Sequence, residues 1–289
     1  MAHLDRPADP QFLDELCRQM RRDILRMVYG VQSGHPGGSL GCVEFFATLF
    51  FQFLEHNPAA FDMDGLNEDV FILSNGHISP VYYSVLARSG YFPVEELATF
   101  RKLNSRLQGH PATHEGLPGV RVATGSLGQG VSVAVGAALA KRLNGDPHRV
   151  FVLSGDGELQ EGQIWEALLF AAHNKVDNLI LTVDLNFKQI DGDTREVLST
   201  NELVSKFLSF NWQVIDLFNG NDLLTVRSTL QTALMQTGKD RPVAILMRTA
   251  MGYGIDFMEN DFNWHGKAPN AEQFARAMAQ LPETSLGDY

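Results

Sequence analysis

The chain has 289 residues, 44% of them hydrophobic, and a formal net charge of −11 at neutral pH. That length and composition allow a large core and are compatible with a single α/β domain spanning residues 1–289. With an excess of acidic residues and no basic block, the chain is a poor partner for nucleic acids or an anionic membrane surface.

Three further features indicate a soluble, cytoplasmic protein. Cys17 and Cys42 are too few for a disulfide framework and suit a reducing compartment. The first ten residues, MAHLDRPADP, lack the apolar segment of a signal peptide. The longest apolar patch, Phe45 to Leu54, is shorter than the roughly 20 residues that cross a bilayer.

The first predicted element is a helix from Phe12 to Tyr29, ending at Gly30 or shortly after. The following run, SGHPGGS, has three glycines and a proline around His35, which predicts a tight irregular loop. Such a loop can display a functional histidine or simply connect two helices. Glu44 to Leu54 has more large apolar residues than one helical stripe needs, so it is expected in the core or at a subunit interface.

Val70 to Leu73 reads as a buried strand that ends at Ser74-Asn75-Gly76-His77. A histidine at the carboxyl end of a strand can donate to a phosphate, and it can equally be a satisfied structural group.

Two glycine-containing segments follow a short basic stretch. Arg101, Lys102 and Arg106 could receive a sugar phosphate, although a solvated charged face is the more common explanation. They lead to a turn, LQGHP, that carries His110. Thr124 to Gly130, TGSLGQG, then opens a helix of small residues that runs through Ala140 and ends near Asn144, and its glycines let the backbone approach a ligand.

The segment from Val150 to Gly192 is predicted to be strand, helix, strand. The first strand, Val150 to Leu153, leads to Gly155-Asp156-Gly157. The second apolar strand, Leu179 to Val183, ends near Asn186. A right-handed crossover makes these strands parallel neighbours whose carboxyl ends share one edge. Oxygen ligands and glycine N–H groups there suit Mg²⁺ and a diphosphate, although Gly-Asp-Gly alone is usually a tight turn.

Two more strands, Val214 to Leu217 and Val243 to Met247, are predicted on either side of a helix from Leu223 to Met235. Five strands separated by helices indicate an α/β fold with a doubly wound, mostly parallel sheet.

Together these motifs resemble a known family. Gly155-Asp156-Gly157 with Asn186 thirty positions after Asp156 resembles the thiamine-diphosphate fingerprint. The longer run GDGELQEGQIWEA closely resembles transketolases, as do the segments SGHPGG, LSNGH, LQGHP, TGSLGQG and WHGKAP. The resemblance covers Ser33 to Pro269 and implies the diphosphate-binding domain of the thiamine-diphosphate-binding fold. One departure is Ala250-Met251, where the family often has a lysine.

The resemblance implies roles for individual residues. Mg²⁺ would be bound by Asp156, the Asn186 side chain and the Lys188 backbone carbonyl. Ca²⁺ or Mn²⁺ could take its place. The cofactor would be contacted by Gly155, Gly157, His77, His265, Gly125, Ser126 and Leu127, with Leu127 against its rings. The sugar substrate would be faced by His35, His110, His265 and Arg101. Arg101 would reach the phosphate of that sugar.

Glu161 is assigned to the apolar stripe of its predicted helix, with Trp165, Leu168, Leu169 and Ala172. A buried carboxylate is rarely left unpaired. In transketolase-like enzymes carboxylates matching Glu161 and Glu166 join two cofactor sites at the dimer contact, which implies an interface role and a part in catalysis.

The implied activity is transfer of a two-carbon ketol unit from a ketose phosphate to an aldose phosphate. A deoxyxylulose-phosphate synthase is one alternative, since it shares some of the motifs, and a non-catalytic cofactor-binding scaffold is another. His35, His77, His110 and His265 together favour the enzyme, and the SGHPGG and LQGHP turns favour transketolase.

Every matched motif belongs to the domain that holds the diphosphate and the metal. The sequence ends at Tyr289, about twenty residues after WHGKAP, which is too short a stretch for another domain. It therefore resembles the split form of the family, in which a second subunit carries the pyrimidine-binding and C-terminal domains. We expect two copies of each chain in the assembly and no activity from this chain alone.

Overall fold

A five-stranded, fully parallel sheet forms the centre of the computed structural model, which describes residues 9–289. The seven strands are β1 (Val70–Leu73), β2 (Val150–Gly155), β3 (Leu179–Leu185), β4 (Lys188–Gln189), β5 (Gly192–Asp193), β6 (Gln213–Leu217) and β7 (Val243–Arg248). The main sheet has the order β1-β2-β3-β7-β6, while β4 and β5 form a separate antiparallel pair. All five predicted strands are present, and β2 and β3 are parallel neighbours as predicted.

Within residues 9–289, ten α-helices surround the sheet. They are α1 (Pro10–Val31), α2 (Pro36–Gly41), α3 (Val43–Thr48), α4 (Ser79–Arg88), α5 (Gln129–Leu143), α6 (Gly162–His173), α7 (Thr194–Leu198), α8 (Leu203–Ser209), α9 (Leu223–Gln236) and α10 (Ala271–Ala279). None of the helices within residues 9–289 has the length and apolarity needed to cross a membrane.

Helices cover both faces of the sheet because side chains alternate along each strand. Phe71, Phe151 and Ile180 face a core shared with α1, α3, α4 and α9. Their neighbours Ile72, Val152 and Leu181 face a second core shared with α5, α6 and α8. This two-sided arrangement confirms the predicted doubly wound α/β fold.

The helix bounds match the predictions closely. Helix α1 begins after Asp9, whose side chain accepts a hydrogen bond from the Gln11 N–H, and it ends at Gln32 in a left-handed conformation. The predicted helix between β6 and β7 is α9.

Two local predictions are resolved by packing. The apolar segment from Glu44 onward forms α3 and then a π-helical turn, Leu49–Phe53, which packs on the core of this chain and leaves Phe51 and Phe53 partly buried. The prediction of an irregular loop for the SGHPGG segment is wrong beyond His35. Pro36 occupies the first turn of α2, where its fixed φ favours a helix and its missing N–H costs nothing.

Cys17 and Cys42 are buried free thiols. Most of the N-terminal segment inspected for a signal peptide, residues 1–8, lies outside the described residues.

Candidate active site

A cavity of 320 Å³ opens at the carboxyl ends of β1, β2 and β3, where open parallel sheets bind ligands. Most of the residues singled out from the sequence line it. They are His35, His77, His110, Gly125, Leu127, Gly155, Asp156, Gly157, Glu161, Asn186, Lys188 and His265. Segments far apart in the chain are therefore brought together as the motifs predict.

Asp156 lies at the tip of β2 and is only 4% exposed. One carboxylate oxygen accepts from the Gly157 N–H at 2.8 Å, and the other accepts from the Phe187 N–H at 2.7 Å. Burial, together with the negative charge of Asp184, raises the pKa of Asp156 to about 8. A buried carboxyl with a like-charged neighbour is a position that a bound cation would stabilise.

Asn186 follows β3 and presents an amide beside Asp156. Its oxygen accepts from the Lys188 N–H at 2.9 Å, and its nitrogen donates to Asp184 at 2.7 Å. The Lys188 ammonium pairs with Asp193 at 3.0 Å, within the small β4-β5 hairpin. A carboxylate, an amide oxygen and a nearby backbone carbonyl are the donor types that Mg²⁺ prefers, so these residues fit the predicted metal.

Within residues 9–289 no group of three or more His, Cys, Asp or Glu side chains is arranged to hold a metal. The predicted ligand set is of another kind, since only Asp156 among its three members belongs to those residue types.

Four histidines that line the cavity form a cluster. The His35 ring centroid lies 5.1 Å from that of His77, 6.3 Å from His110 and 5.5 Å from His265. Burial lowers the pKa of all four, and with the neighbouring His265 and Arg101 it lowers the pKa of His35 to about 3. The imidazoles are therefore neutral near pH 7, and each can donate one hydrogen bond and accept another.

The buried Nδ1 atoms of His35 and His265 have no hydrogen-bond partner in the described part of the chain. The same holds for Oδ1 of Asn75, which also lines the cavity. Buried polar atoms are normally paired, so these atoms indicate a polar ligand in the cavity.

The backbone around the histidines is held by two close contacts. The Gly252 N–H donates to the Gly37 carbonyl at 2.9 Å, which joins α2 to the segment that carries His265. Gly125 has a φ of 128°, and a Cβ there would lie 2.8 Å from the His110 ring. Only glycine fits this conformation and this approach.

Leu127 is 38% exposed and reaches the cavity, as expected for an apolar contact to a cofactor ring. Ser126, next to it, is exposed and is not among the lining residues. Its predicted cofactor contact stays a prediction.

Arg101 does not line the cavity. Its guanidinium donates to the Ser33 hydroxyl at 2.7 Å and to the Gly109 carbonyl at 3.4 Å, which supports the turn that carries His110. Its buried Nε has no partner among the described residues. Arg106 is paired with Glu96 at 2.7 Å. The predicted contact of Arg101 with a substrate phosphate stays a prediction.

Comparison with known proteins bears on this geometry. Residues 14–283 match the family model described as the transketolase thiamine diphosphate binding domain. The chain belongs to the transketolase family.

Two curated relatives match this transketolase chain over nearly their whole length, and both are named as subunits. The relative from Actinobacillus succinogenes, a subunit of apulose-4-phosphate transketolase, is 38% identical over 94% of this chain and 96% of its own. The relative from Clostridium sp., a subunit of 6-deoxy-6-sulfo-D-fructose transketolase, is 38% identical over 91% of this chain and 93% of its own.

The solved transketolase of Leishmania mexicana superposes with a TM-score of 0.87 and 31% identity. The match covers 96% of this chain but only 42% of that one, so the chain spans less than half of the solved protein. The predicted assignment to the diphosphate-binding subunit of a transketolase-type transferase is confirmed by these relatives.

One prediction about this transketolase chain is wrong. Glu161 is not on the apolar stripe of a helix but is the exposed residue that precedes α6, where a carboxylate is stabilised by the helix dipole. The buried face of α6 is formed by Ile164, Ala167, Leu168, Ala171 and Ala172, whereas Leu169 is 60% exposed. Glu161 nevertheless lines the cavity, and Glu166 is exposed on α6.

Sequence reasoning assigned no role to three buried polar residues of the site: Asn75, Glu158 and Asp184. Asp184 is 1% exposed and accepts from the Thr249 hydroxyl as well as from Asn186. Burial raises the pKa of Asp184. The sequence carried a signal for Asp184, which is the one charged residue of the buried strand β3 and lies two positions before Asn186.

Proposed function

We propose that the cavity holds thiamine diphosphate and Mg²⁺, and that the chain serves a two-carbon ketol transfer from a ketose phosphate to an aldose phosphate. The observation that carries the proposal is the meeting of Asp156, Asn186 and four neutral histidines around one cavity at the carboxyl edge of a parallel sheet. Residues 1–289 are proposed to form a single domain.

The metal and the diphosphate would be held by groups from β2 and β3. Asp156, the Asn186 side-chain oxygen and the Lys188 carbonyl would bind Mg²⁺, and Ca²⁺ or Mn²⁺ suit the same oxygen donors. The backbone at Gly155 and Gly157 and the His77 imidazole would contact the diphosphate. The charge of the cation would offset the repulsion between the buried carboxyl groups of Asp156 and Asp184.

The sugar chemistry would rest on the histidine cluster. Bound thiamine diphosphate supplies a carbon nucleophile for a ketose carbonyl. His35, His110 and His265 would hydrogen-bond to sugar hydroxyl groups and move protons as the carbon–carbon bond breaks and forms. Their lowered pKa values keep the imidazoles neutral near pH 7, so that each ring has one nitrogen that donates and one that accepts a hydrogen bond from the sugar. Arg101 would bind the substrate phosphate after leaving its contact with Gly109.

A second subunit would complete the site by supplying the pyrimidine-binding and C-terminal domains, in an assembly of two copies of each chain in the cytoplasm. Curated relatives of matching length are named as subunits, while single-chain transketolase extends well beyond the matched region. Apolar side chains at the mouth of the cavity, Leu127 and Ile190, are 38% and 62% exposed. The partner would cover them and would meet Glu161 and Glu166.

The sugars are proposed only as a class. The two relatives are named for a phosphorylated and a sulfonated sugar, so donors bearing either anion are reasonable substrates to screen.

An assay with and without a second subunit tests the proposal. Highly purified chain would be saturated with thiamine diphosphate and Mg²⁺ and offered ketose and aldose phosphates. We expect no transfer from the chain alone and two-carbon transfer once a partner subunit is added. Robust transfer without a second polypeptide would contradict the proposed division of the site.

A further inference from the structure

Glu158 is a buried carboxylate that the roles proposed so far do not use. It lies in the short 3₁₀ turn Gly157–Gln160, two residues after Asp156, and only 2% of it is exposed. It lines the cavity but forms no salt bridge with any cation among the described residues. A buried charge of this kind is stable only when hydrogen bonds replace its lost hydration.

Four donors replace that hydration. Oε1 accepts from the Ser74 hydroxyl at 2.5 Å and from the Gly128 N–H at 2.8 Å. Oε2 accepts from the Ser154 hydroxyl at 2.9 Å and from the Gly155 N–H at 3.2 Å. Each oxygen therefore receives one hydroxyl and one backbone N–H, which fills the acceptor sites of an ionised carboxylate.

The donors come from three separate segments of the chain. Ser74 follows β1 and precedes His77, Gly128 directly follows Leu127 at the start of α5, and Gly155 directly precedes Asp156. The α5 segment also packs tightly on β1, since a Cβ on Gly130 would lie 2.5 Å from the Ser74 hydroxyl. One carboxylate thus joins the segments that carry the predicted cofactor contacts.

We propose that Glu158 is a positioning residue that fixes the α5 loop and the tips of β1 and β2 in the arrangement that binds thiamine diphosphate. The inference rests on the proposed function, because it concerns the same cavity. Glu158 acts through the Gly128 and Gly155 N–H groups and through the two serine hydroxyls.

The chemistry requires a carboxylate. A serine hydroxyl can rotate to become an acceptor, but a backbone N–H cannot. In Glu158→Gln one side-chain oxygen becomes an NH₂ group, and in either orientation that group faces a backbone N–H of Gly128 or Gly155. The resulting donor–donor contact leaves two buried polar groups unpaired and moves one segment away.

The experiment measures, by calorimetry, the thiamine-diphosphate affinity of this chain assembled with its partner subunit, in saturating Mg²⁺ and well below the melting temperature. For Glu158→Gln we expect a Kd at least tenfold above wild type, with the apo variant still folded by circular dichroism. For Ser154→Ala we expect a change below threefold, because its strand β2 stays bonded to Glu158 through the Gly155 N–H, whereas Ser74 is the donor that ties the β1 segment to Glu158. Wild-type affinity in Glu158→Gln would overturn the inference.

A matched control separates positioning from general loss of stability. Asp69 is another buried carboxylate, 1% exposed, that accepts the Arg149 N–H at 2.7 Å and the Glu55 N–H at 3.0 Å, but it does not line the cavity. Asp69→Asn should lower the melting temperature and leave the Kd unchanged. An equal loss of affinity in Asp69→Asn would mean that Glu158 has only a structural role.

Two further outcomes are informative. If Glu158→Gln does not fold, Ser74→Ala replaces it: a threefold or greater rise in Kd supports the inference, and a smaller change overturns it. If the wild-type assembly with its partner subunit shows no binding of thiamine diphosphate, the proposed function fails and the inference fails with it. Binding by wild type with no effect of the variants would defeat the inference alone.

Discussion

The side-chain amide of Asn186 is oriented by Asp184, which accepts its N–H at 2.7 Å. Asp184 is itself held by the Thr249 hydroxyl on the neighbouring strand end, and it is 1% exposed. Because the amide nitrogen is bonded to Asp184, the oxygen is left to accept from the Lys188 N–H and to face the proposed metal. The orientation of the proposed metal ligand is therefore set by a carboxylate behind it.

Asp184→Asn should weaken Mg²⁺-dependent binding of thiamine diphosphate by about tenfold, because an asparagine can donate as well as accept and no longer selects one amide orientation of Asn186. A Mg²⁺ titration at fixed cofactor concentration measures the effect. An unchanged Mg²⁺ requirement in a folded variant would show that Asn186 is oriented by other contacts.

Asp156→Ala should abolish metal-dependent cofactor binding with little loss of fold. The apo variant should melt at the wild-type temperature or above it, because the change removes a buried carboxyl group and its repulsion with Asp184. Calorimetry and thermal unfolding test the two halves of this prediction. Wild-type cofactor affinity would rule out Asp156 as a metal ligand.

His35→Ala and His77→Ala should have different phenotypes although their ring centroids are 5.1 Å apart. Loss of His35 should lower kcat or raise the KM for the sugar at least tenfold with nearly unchanged cofactor affinity. Loss of His77 should weaken the binding of the cofactor itself. Steady-state kinetics of the assembled enzyme and calorimetry distinguish them, and reversed phenotypes would contradict the assigned roles.

The free energy of unfolding in acid should depend on Asp288, near the C-terminus. Hydrogen bonds from Arg22 and Gln19 hold the pKa of Asp288 at about 2, below the value of about 3.9 in an unfolded chain. Its stabilising effect is therefore complete above about pH 4 and is lost as the pH falls towards 2.

Asp288→Asn should lower the free energy of unfolding at pH 6 by about 1 kcal/mol or less, since the pair with Arg22 is partly exposed. The difference from wild type should shrink between pH 4 and pH 2 in urea titrations. Asp256→Asn is the control: its pair with Arg276 is 58% exposed at both ends and should contribute less. A difference that does not change with pH would contradict the assignment.

Much of the site was predictable because it depends on local chemistry. The local signals were the glycines beside Asp156, the spacing to Asn186 and the histidines in glycine-rich turns. Each is typical of a chain whose backbone approaches a ligand. The strands were equally clear, since buried parallel strands are continuous apolar runs. Glu161 was misplaced because its spacing fits a helical stripe, whereas α6 begins only at Gly162 and buries Ile164 and Ala167 instead.

By itself the sequence determined the parallel sheet and the edge at which the cavity opens, because the spacing of apolar residues and the polar residues at strand ends are local properties. The residues singled out by the motifs line that cavity, and their roles stay predictions. Only the tertiary structure decided how those residues are held. Glu158 meets Gly128 across 30 positions and Ser74 across 84, and no pattern in a single segment encodes such partners. A hydrogen bond between distant segments depends on how the chain closes on itself, so the carboxylates that position the site become visible only once it has folded.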